Sequence, residues 1–190
     1  MGYNSHIMTE FYTRAIVLEK EDLGETDSVV HLFTEKYGKI VAKARSLRKI
    51  TSKSSAHLQP LRIVQVRFVS SKKIGGGFII MDVLWDEPTE KSLPEIRHDL
   101  FPIMRGLNKL TSEFQAEPQV WALIETALKE PYTPADITRA LLHILGFNPQ
   151  HAQCSMCFKK TVKTFVVEKD IFLCEPCTSQ LPADAIVLEI

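Results

Sequence analysis

The segment from Leu61 to Ser70, LRIVQVRFVS, decides the fold class. Leu61, Ile63 and Gln65 point one way along it, and Arg62, Val64, Val66 and Phe68 point the other. A period of two is the signature of a strand, and apolar residues on both faces are what a strand of a closed barrel carries. Upstream, Phe11 to Glu19 (FYTRAIVLE) is apolar and β-branched and is broken at Leu23-Gly24-Glu25. Asp27 to Thr34 (DSVVHLFT) reads as a second strand, and Lys36-Tyr37-Gly38 turns the chain into a third, Lys39 to Arg45. A basic, serine-rich loop, Ser46 to Ser55, precedes Pro60 and the alternating segment, after which Gly75-Gly76-Gly77 leads into Phe78 to Trp85. Five short strands with a basic loop between the third and fourth fit a small, partly open barrel of the OB type. The glycine triplet lacks the Lys-Ser or Lys-Thr and the helix start of a phosphate-binding loop, so it reads as a hairpin turn.

Beyond Glu87-Pro88 the pattern becomes helical. From Ile96 to Phe114, Leu100, Ile103, Met104, Leu107, Leu110 and Phe114 form one apolar stripe. Pro118 suits the first turn of a second helix with Val120, Leu123, Ile124, Ala127 and Leu128 on one face. A third helix is expected to begin with Thr133 as N-cap, Pro134 as first residue and Asp136 in the first turn, and to stop at Gly146. The chain's four cysteines then fall as Cys154-x2-Cys157 and Cys174-x2-Cys177, with sixteen residues between the pairs. That spacing is typical of a metal knuckle, and with four sulfur ligands the expected cofactor is one structural zinc ion per chain. Two disulfides or free buried thiols are the alternatives, and His151, three residues before Cys154, is an alternative ligand.

The fold class is therefore α+β: an N-terminal five-stranded OB-fold barrel followed by a small helical domain carrying a four-cysteine zinc knuckle. The expected division is a disordered leader at 1–10, the OB-fold domain at 11–87, the helical domain at 88–153, the knuckle at 154–177 and a tail at 178–190 packing on the helical domain. The first seven residues lack the basic start and apolar core of a signal peptide. No run approaches the roughly eighteen apolar residues of a membrane span. Metal-binding thiols fit the reducing cytoplasm.

Net charge is zero, with 23 basic and 23 acidic residues, but the charges are segregated. From Lys36 to Lys73 there are eleven Lys or Arg and no Asp or Glu. A solvated face mixes signs, so this stretch reads as a surface for a polyanion, with nucleic acid the default. The alternative is a patch that pairs with the acidic remainder of the chain. The candidate nucleic-acid contacts are Lys36, Lys39, Lys43, Arg45, Arg48, Lys49, Lys53, Arg62, Arg67, Lys72 and Lys73. Tyr37 lies among them and either stacks a base or packs on the barrel end. Ser46, Ser52, Ser54 and Ser55 suit phosphate hydrogen bonds or a solvated loop. No catalytic set emerges. His31 alternates with apolar residues in a strand and His143 sits within an apolar helix, so both read as packed side chains; strand geometry points adjacent residues to opposite faces, which argues against a triad of Asp27, Ser28 and His31. The chain is not expected to be an enzyme.

Several short motifs, in order, resemble the bacterial RecO recombination mediators. They are Ala15-Ile16-Val17-Leu18, Gly24-Glu25-Thr26-Asp27, Leu32-Phe33-Thr34, Tyr37-Gly38-Lys39, Leu58-Gln59-Pro60, and Leu141 to Pro149 running into Cys154-x2-Cys157. The resemblance implies a cytoplasmic, nucleoid-associated protein of bacterial recombinational repair. Such a protein binds single- and double-stranded DNA, anneals complementary strands, engages the single-strand-binding protein and works with RecR to load RecA. Its DNA contacts would be the basic barrel residues and its metal ligands Cys154, Cys157, Cys174 and Cys177. There are two departures from the family pattern: the segment between Pro88 and Cys154 is short, and Phe158 stands where a glycine commonly follows the second cysteine. The competing class is a transcription or translation regulator that reads nucleic acid through the knuckle. Lys159, Lys160, Lys163 and Lys169 lie between the cysteine pairs, but no Arg, Asn or Gln is there for bidentate base contact.

Overall fold

A computed structural model describes residues 9–45, 57–70, 77–86 and 97–190. Strands β1 (Thr9–Leu23), β2 (Asp27–Thr34), β3 (Gly38–Ala44), β4 (Ile63–Ser70) and β5 (Phe78–Trp85) form a closed barrel in the order β1-β2-β3-β5-β4. The barrel closes fully, where a partly open one was expected, because β3 and β5 pair in parallel through Ala42, Lys43 and Ala44. The other contacts within it are antiparallel. β1 starts earlier than its apolar run suggests: Thr9 and Glu10, expected in the leader, pair with Ser70 and Val69. The edge of β4 supplies the partners that a reading of β1 alone cannot see. The Gly75 to Gly77 turn and the Ser46 to Ser55 loop fall largely or wholly outside the described residues.

The two apolar faces of the strands serve two cores. Ala15, Val17, Val30, Leu32, Ile40, Val64, Val66 and Phe68 fill the barrel. Ile16, Leu18, Phe33, Leu61 and Ile63 point outward into a second core shared with the helices. Register makes that outer wall continuous, since Ile16 pairs with both Phe33 on β2 and Ile63 on β4. A β-bulge lies between Val17 and Glu19, opposite Leu32 and His31.

Three helices cover the wall: α1 (Phe101–Leu110), α2 (Pro118–Lys129) and α3 (Pro134–Ile144). Their buried residues, among them Ile103, Leu107, Trp121, Ile124 and Leu141, join the same core. α3 begins where its residues dictate. The Thr133 hydroxyl accepts from the Asp136 amide at 3.2 Å, and Gly146 takes φ +89 so that the Phe147 amide closes on Leu142 O at 2.8 Å. α1 is shorter than its stripe. Thr111 leaves the helix at φ −106, ψ 143, with its amide and hydroxyl both on Leu107 O. The following segment is then held on the barrel, with Phe114 N donating to Lys39 O at 3.1 Å. Gly38 permits this approach, because a Cβ there would overlap the Gln115 carbonyl, and its φ of +70 also favours glycine. Tertiary pairing thus overrides a periodicity that extends to Phe114.

A small second sheet completes the fold, with β6 (Thr164–Val166) between β7 (Ile171–Leu173) and β8 (Val187–Glu189). Phe165, Val167, Ile186 and Leu188 belong to the helical core, and Leu188 lies so close to α1 that a Cβ on Gly106 would meet its Cδ1 at 3.0 Å. Barrel wall, helices and terminal sheet therefore bury one common core. Phe33 is fully buried at the junction. Phe33→Ala is expected to lower the unfolding free energy by about 3–5 kcal/mol, measured by denaturant titration; a loss under about 1 kcal/mol would show that the wall packs loosely.

Candidate nucleic-acid interface and cysteine cluster

The β2-β3 turn is built around Thr34, whose buried hydroxyl donates to Gly38 O at 2.8 Å and accepts from Tyr37 N at 3.0 Å. The turn holds Lys36 out in solvent, and Arg45 is exposed at the other end of β3. Alternation along β3 puts Lys39 and Lys43 on its outer side, while Ile40, Ala42 and Ala44 face the barrel core. Lys39 and Lys43 are four residues apart, about 13 Å along an extended strand. The structure thus aligns Lys36, Lys39, Lys43 and Arg45 along one strand and its turn. Arg62 immediately precedes β4 and Arg67 lies within it, and β4 is separated from β3 by β5. Arg48, Lys49, Lys53, Lys72 and Lys73, with the loop serines, lie outside the described residues.

These cations are not equally available. Lys43 Nζ is 2.9 Å from Asp27, and Arg67 is 3.4 Å from Glu10. Lys39 donates to Asn108 O at 2.7 Å, capping a free carbonyl near the end of α1. Burial, reinforced by Lys109 and opposed by Glu113, holds its ammonium below the ordinary lysine range. Lys36 and Arg45 have no ion-pair partner among the described residues. Tyr37 packs partly buried against Phe11 and Phe68, with centroids at 5.2 and 6.2 Å. Phe114 is a half-exposed aromatic at this barrel end, tilted on Phe78 at 5.1 Å and held at φ +60. Sequence periodicity assigned it to a helix stripe, and its role at the barrel end carries no local signal.

Two polar hubs fix the barrel against the helices. Buried Asn108 on α1 donates to Glu19 at 2.9 Å and lies 3.1 Å from His31 Nδ1. His31 is therefore hydrogen-bonded as well as packed. Arg14 on β1 donates to Asp86 at 2.9 and 2.7 Å and to Glu125 on α2 at 2.6 Å, and stands 5.4 Å from the Trp121 ring. Glu125 also accepts from Trp121 Nε1 at 3.0 Å and Lys129 at 2.7 Å. Burial disfavours the Glu125 charge, but the hydrogen bonds from Arg14 and Lys129 outweigh it and bring its carboxyl down to about 2.

At the other end of the molecule the ligand atoms of all four cysteines lie within 4.8 Å of one another, with Cys157 and Cys174 sulfurs 3.5 Å apart. The thiols are free, and this spacing is far from the roughly 2.05 Å of a disulfide. It fits a tetrahedron of sulfurs about 2.3 Å from a central ion. Cys154 and Cys157 are brought together by a turn in which Cys154 N donates to Lys159 O at 2.9 Å and Phe158 N to Cys154 O at 2.8 Å. Cys174 caps the short helix α4 (Glu175–Thr178), and the amides of Cys177 and Thr178 close on Cys174 O at 3.0 Å. The β6-β7 hairpin joins the two pairs, and Ser155 N on Phe172 O at 3.0 Å ties them. Burial opposes ionisation of Cys154, yet backbone amides of Cys174, Cys157 and Met156 bring its thiol down to about 6. Hydrogen bonding to Cys174, with burial, pushes Cys177 up to about 12. Four thiolates at this distance need a cation, so the donor set fits a metal ion. His151 is not among the clustered ligands. Phe158 adopts φ +62, the conformation a glycine takes at little cost, at about 1–2 kcal/mol for a side chain with a Cβ.

The family described as Recombination protein O N terminal matches residues 8–77. A DNA repair protein RecO of Bacillus pumilus is 30% identical over 184 residues, covering 90% of this chain and 69% of the relative. The chain belongs to the RecO family. A RecO of Dehalococcoides mccartyi is 28% identical over 184 residues, covering 88% and 70%, and one of Myxococcus xanthus is 28% identical over 163 residues, covering 79% and 64%. The RecO resemblance thus extends through barrel, helices and knuckle. No helix among the described residues is long and apolar enough to cross a membrane.

The Glu125 carboxyl titrates well below its ordinary 4.5, at about 2. Its contribution is complete above pH 4.5 and is lost as pH falls through 2. Allowing for its partial exposure, Glu125→Gln is expected to be less stable at pH 7 by about 1–2 kcal/mol. That difference should close between pH 4.5 and 2, followed by denaturant midpoints; a pH-independent difference would contradict the ion network.

Proposed function

We propose that this chain is a non-enzymatic, DNA-binding recombination mediator of the bacterial cytoplasm. In this reading it anneals complementary strands and helps RecR load RecA on DNA coated with single-strand-binding protein. The relatives carry the name of a DNA repair protein, and recombinational repair is the role taken for this chain. The observation that carries the reading is the outer side of β3 and its two ends, where four cations of an acid-free segment line up on an OB-type barrel.

Lys36 and Arg45 contact phosphate most directly, with Lys39 and Lys43 along the strand between them. Arg48, Lys49, Lys53, Lys72 and Lys73, outside the described residues, belong to the same acid-free stretch of sequence and are taken as further phosphate contacts, as are Arg62, just before β4, and Arg67 within it. A strand held this way presents its bases for pairing, and positive surface elsewhere lowers the repulsion that opposes a second strand. For the single-strand-binding protein, the groove between α2 and α3, lined by Ala122, Leu123, Tyr132, Ile137 and Ala140, offers an apolar seat. The four cysteines hold one structural zinc ion. With all four positions filled by sulfur, the ion supplies a crosslink between the two ends of the hairpin and no open site for reaction.

If about five phosphates are neutralised, log affinity for single-stranded DNA is expected to fall against log salt with a slope of about −3.5. Lys36→Glu with Arg45→Glu should weaken binding and flatten that slope by about 1.4 without changing the melting temperature. A nearly flat salt dependence in the parent protein would contradict the reading. For the metal, structural zinc contributes roughly 10 kcal/mol or more of apparent binding energy. Chelation or Cys174→Ser is therefore expected to lower the melting temperature, with one zinc ion per chain released on denaturation. An unchanged melting curve would exclude a structural metal.

A further inference from the structure

The cysteine turn carries a side chain for which neither the barrel nor the metal accounts. Phe158 is 75% exposed, more than any other large apolar side chain among the described residues, and Met156, on the far side of Cys157, is 50% exposed. The ring is not on a loose loop. Its backbone is held at φ +62 by the paired hydrogen bonds between Cys154, Phe158 and Lys159 that shape the cysteine turn. A bulky residue in the left-handed region, with its ring in water, is unfavourable on both counts. No contact within the described fold offsets either cost, and such outliers concentrate where a ligand is engaged.

The sequence that follows the ring is cationic. Lys159, Lys160 and Lys163 are all exposed, and none is ion-paired among the described residues. From Ile137 to Val167 the chain contains four Lys or Arg and no Asp or Glu. The nearest acids that follow in sequence are Glu168, whose carboxylate accepts the Ile186 amide at 2.9 Å, Asp170 in the turn between β6 and β7, and Glu175 on the opposite cysteine pair.

We propose that this turn is a second nucleic-acid contact, in which Phe158 stacks on an unpaired base while Lys159, Lys160 and Lys163 hold the flanking phosphates. A rigid aromatic among unpaired lysines is the arrangement by which single strands are bound without sequence preference. The occupant is a single strand because a duplex keeps its base faces stacked and closed to a side chain. The proposal rests on the DNA-binding reading above and adds a surface separate from β3. With one strand on the barrel and another on the knuckle, one molecule would hold both partners of an annealing reaction.

The test uses the full chain and two labelled single strands, a thymidine homopolymer and the same backbone without bases. Phe158→Gly suits the left-handed turn better than the native residue, so its melting temperature is expected to stay or rise, and lost binding cannot be ascribed to misfolding. It should bind the thymidine strand about fivefold or more weakly and the abasic strand unchanged. Lys159→Ala with Lys160→Ala should flatten the salt slope by about 1.4 on both strands. Equal affinity of Phe158→Gly and the parent for thymidine, or an equal loss on the abasic strand, would overturn the stacking role. If Lys36→Glu with Arg45→Glu weakens binding while Phe158→Gly does not, the barrel reading stands and this one falls. A parent protein that binds neither strand would sink both.

Discussion

Everything in this fold depends on a barrel wall that is apolar on both sides. Ala15 and Val17 fill the barrel while Ile16 and Leu18, their neighbours on β1, are buried in the helical core. A barrel standing alone would expose Ile16, Phe33 and Ile63 as a contiguous patch of the kind that soluble monomers avoid. Helices α1 to α3 are too short and too few to bury their own stripes without that wall. Each part therefore supplies the surface that the other lacks. The terminal sheet inserts Phe165 and Leu188 into the same core, while Cys154, Cys174 and Cys177 pack with Val166 and Leu173 of that sheet in a small cluster of their own.

Apolar packing does not fix orientation, and two polar hubs supply it. Asn108 bonds to residues of β1 and β2 and its carbonyl accepts from β3, so α1 has one allowed rotation on the wall. Arg14 does the same for α2 through Glu125. Leaving either hub half-satisfied would strand a buried polar group, which costs more than the bond itself contributes. The same logic explains why Lys39 is a poor candidate for a freely mobile phosphate contact and why Lys36 and Arg45 are better ones. Lys39 is engaged by the fold, and the other two project from the ends of its strand.

Local chemistry was legible in the sequence, and long-range choices were not. The alternation in LRIVQVRFVS, the Thr133-Pro134 helix start and the paired cysteines each encode their structure within a few residues. That both strand faces are apolar was written there as well, but that one of them packs against the helices was not. Asn108 reads as an ordinary helix residue until β1, β2 and β3 are brought around it. Phe114 fits a helical stripe, and only the pairing of its amide with Lys39 and the bare Cα of Gly38 explain why the helix stops short. The grouping of the basic residues was partly legible: β3 gathers Lys36 to Arg45, but barrel closure carries Arg62 and Arg67 to β4, a separation that linear charge counting cannot register. Phe158 was visible as a departure from a family pattern, and its left-handed backbone gives that departure a physical meaning.

The two proposed contact surfaces, at β3 and at the cysteine turn, belong to parts of the chain joined through the core that barrel wall, helices and terminal sheet share. Two such surfaces suit bringing two like-charged strands together, because each lowers the repulsion between them. The most direct test is the rate at which complementary DNA strands coated with single-strand-binding protein anneal, followed by fluorescence with and without this protein. Acceleration that weakens as salt rises is expected. Tight DNA binding with no acceleration would contradict the annealing role.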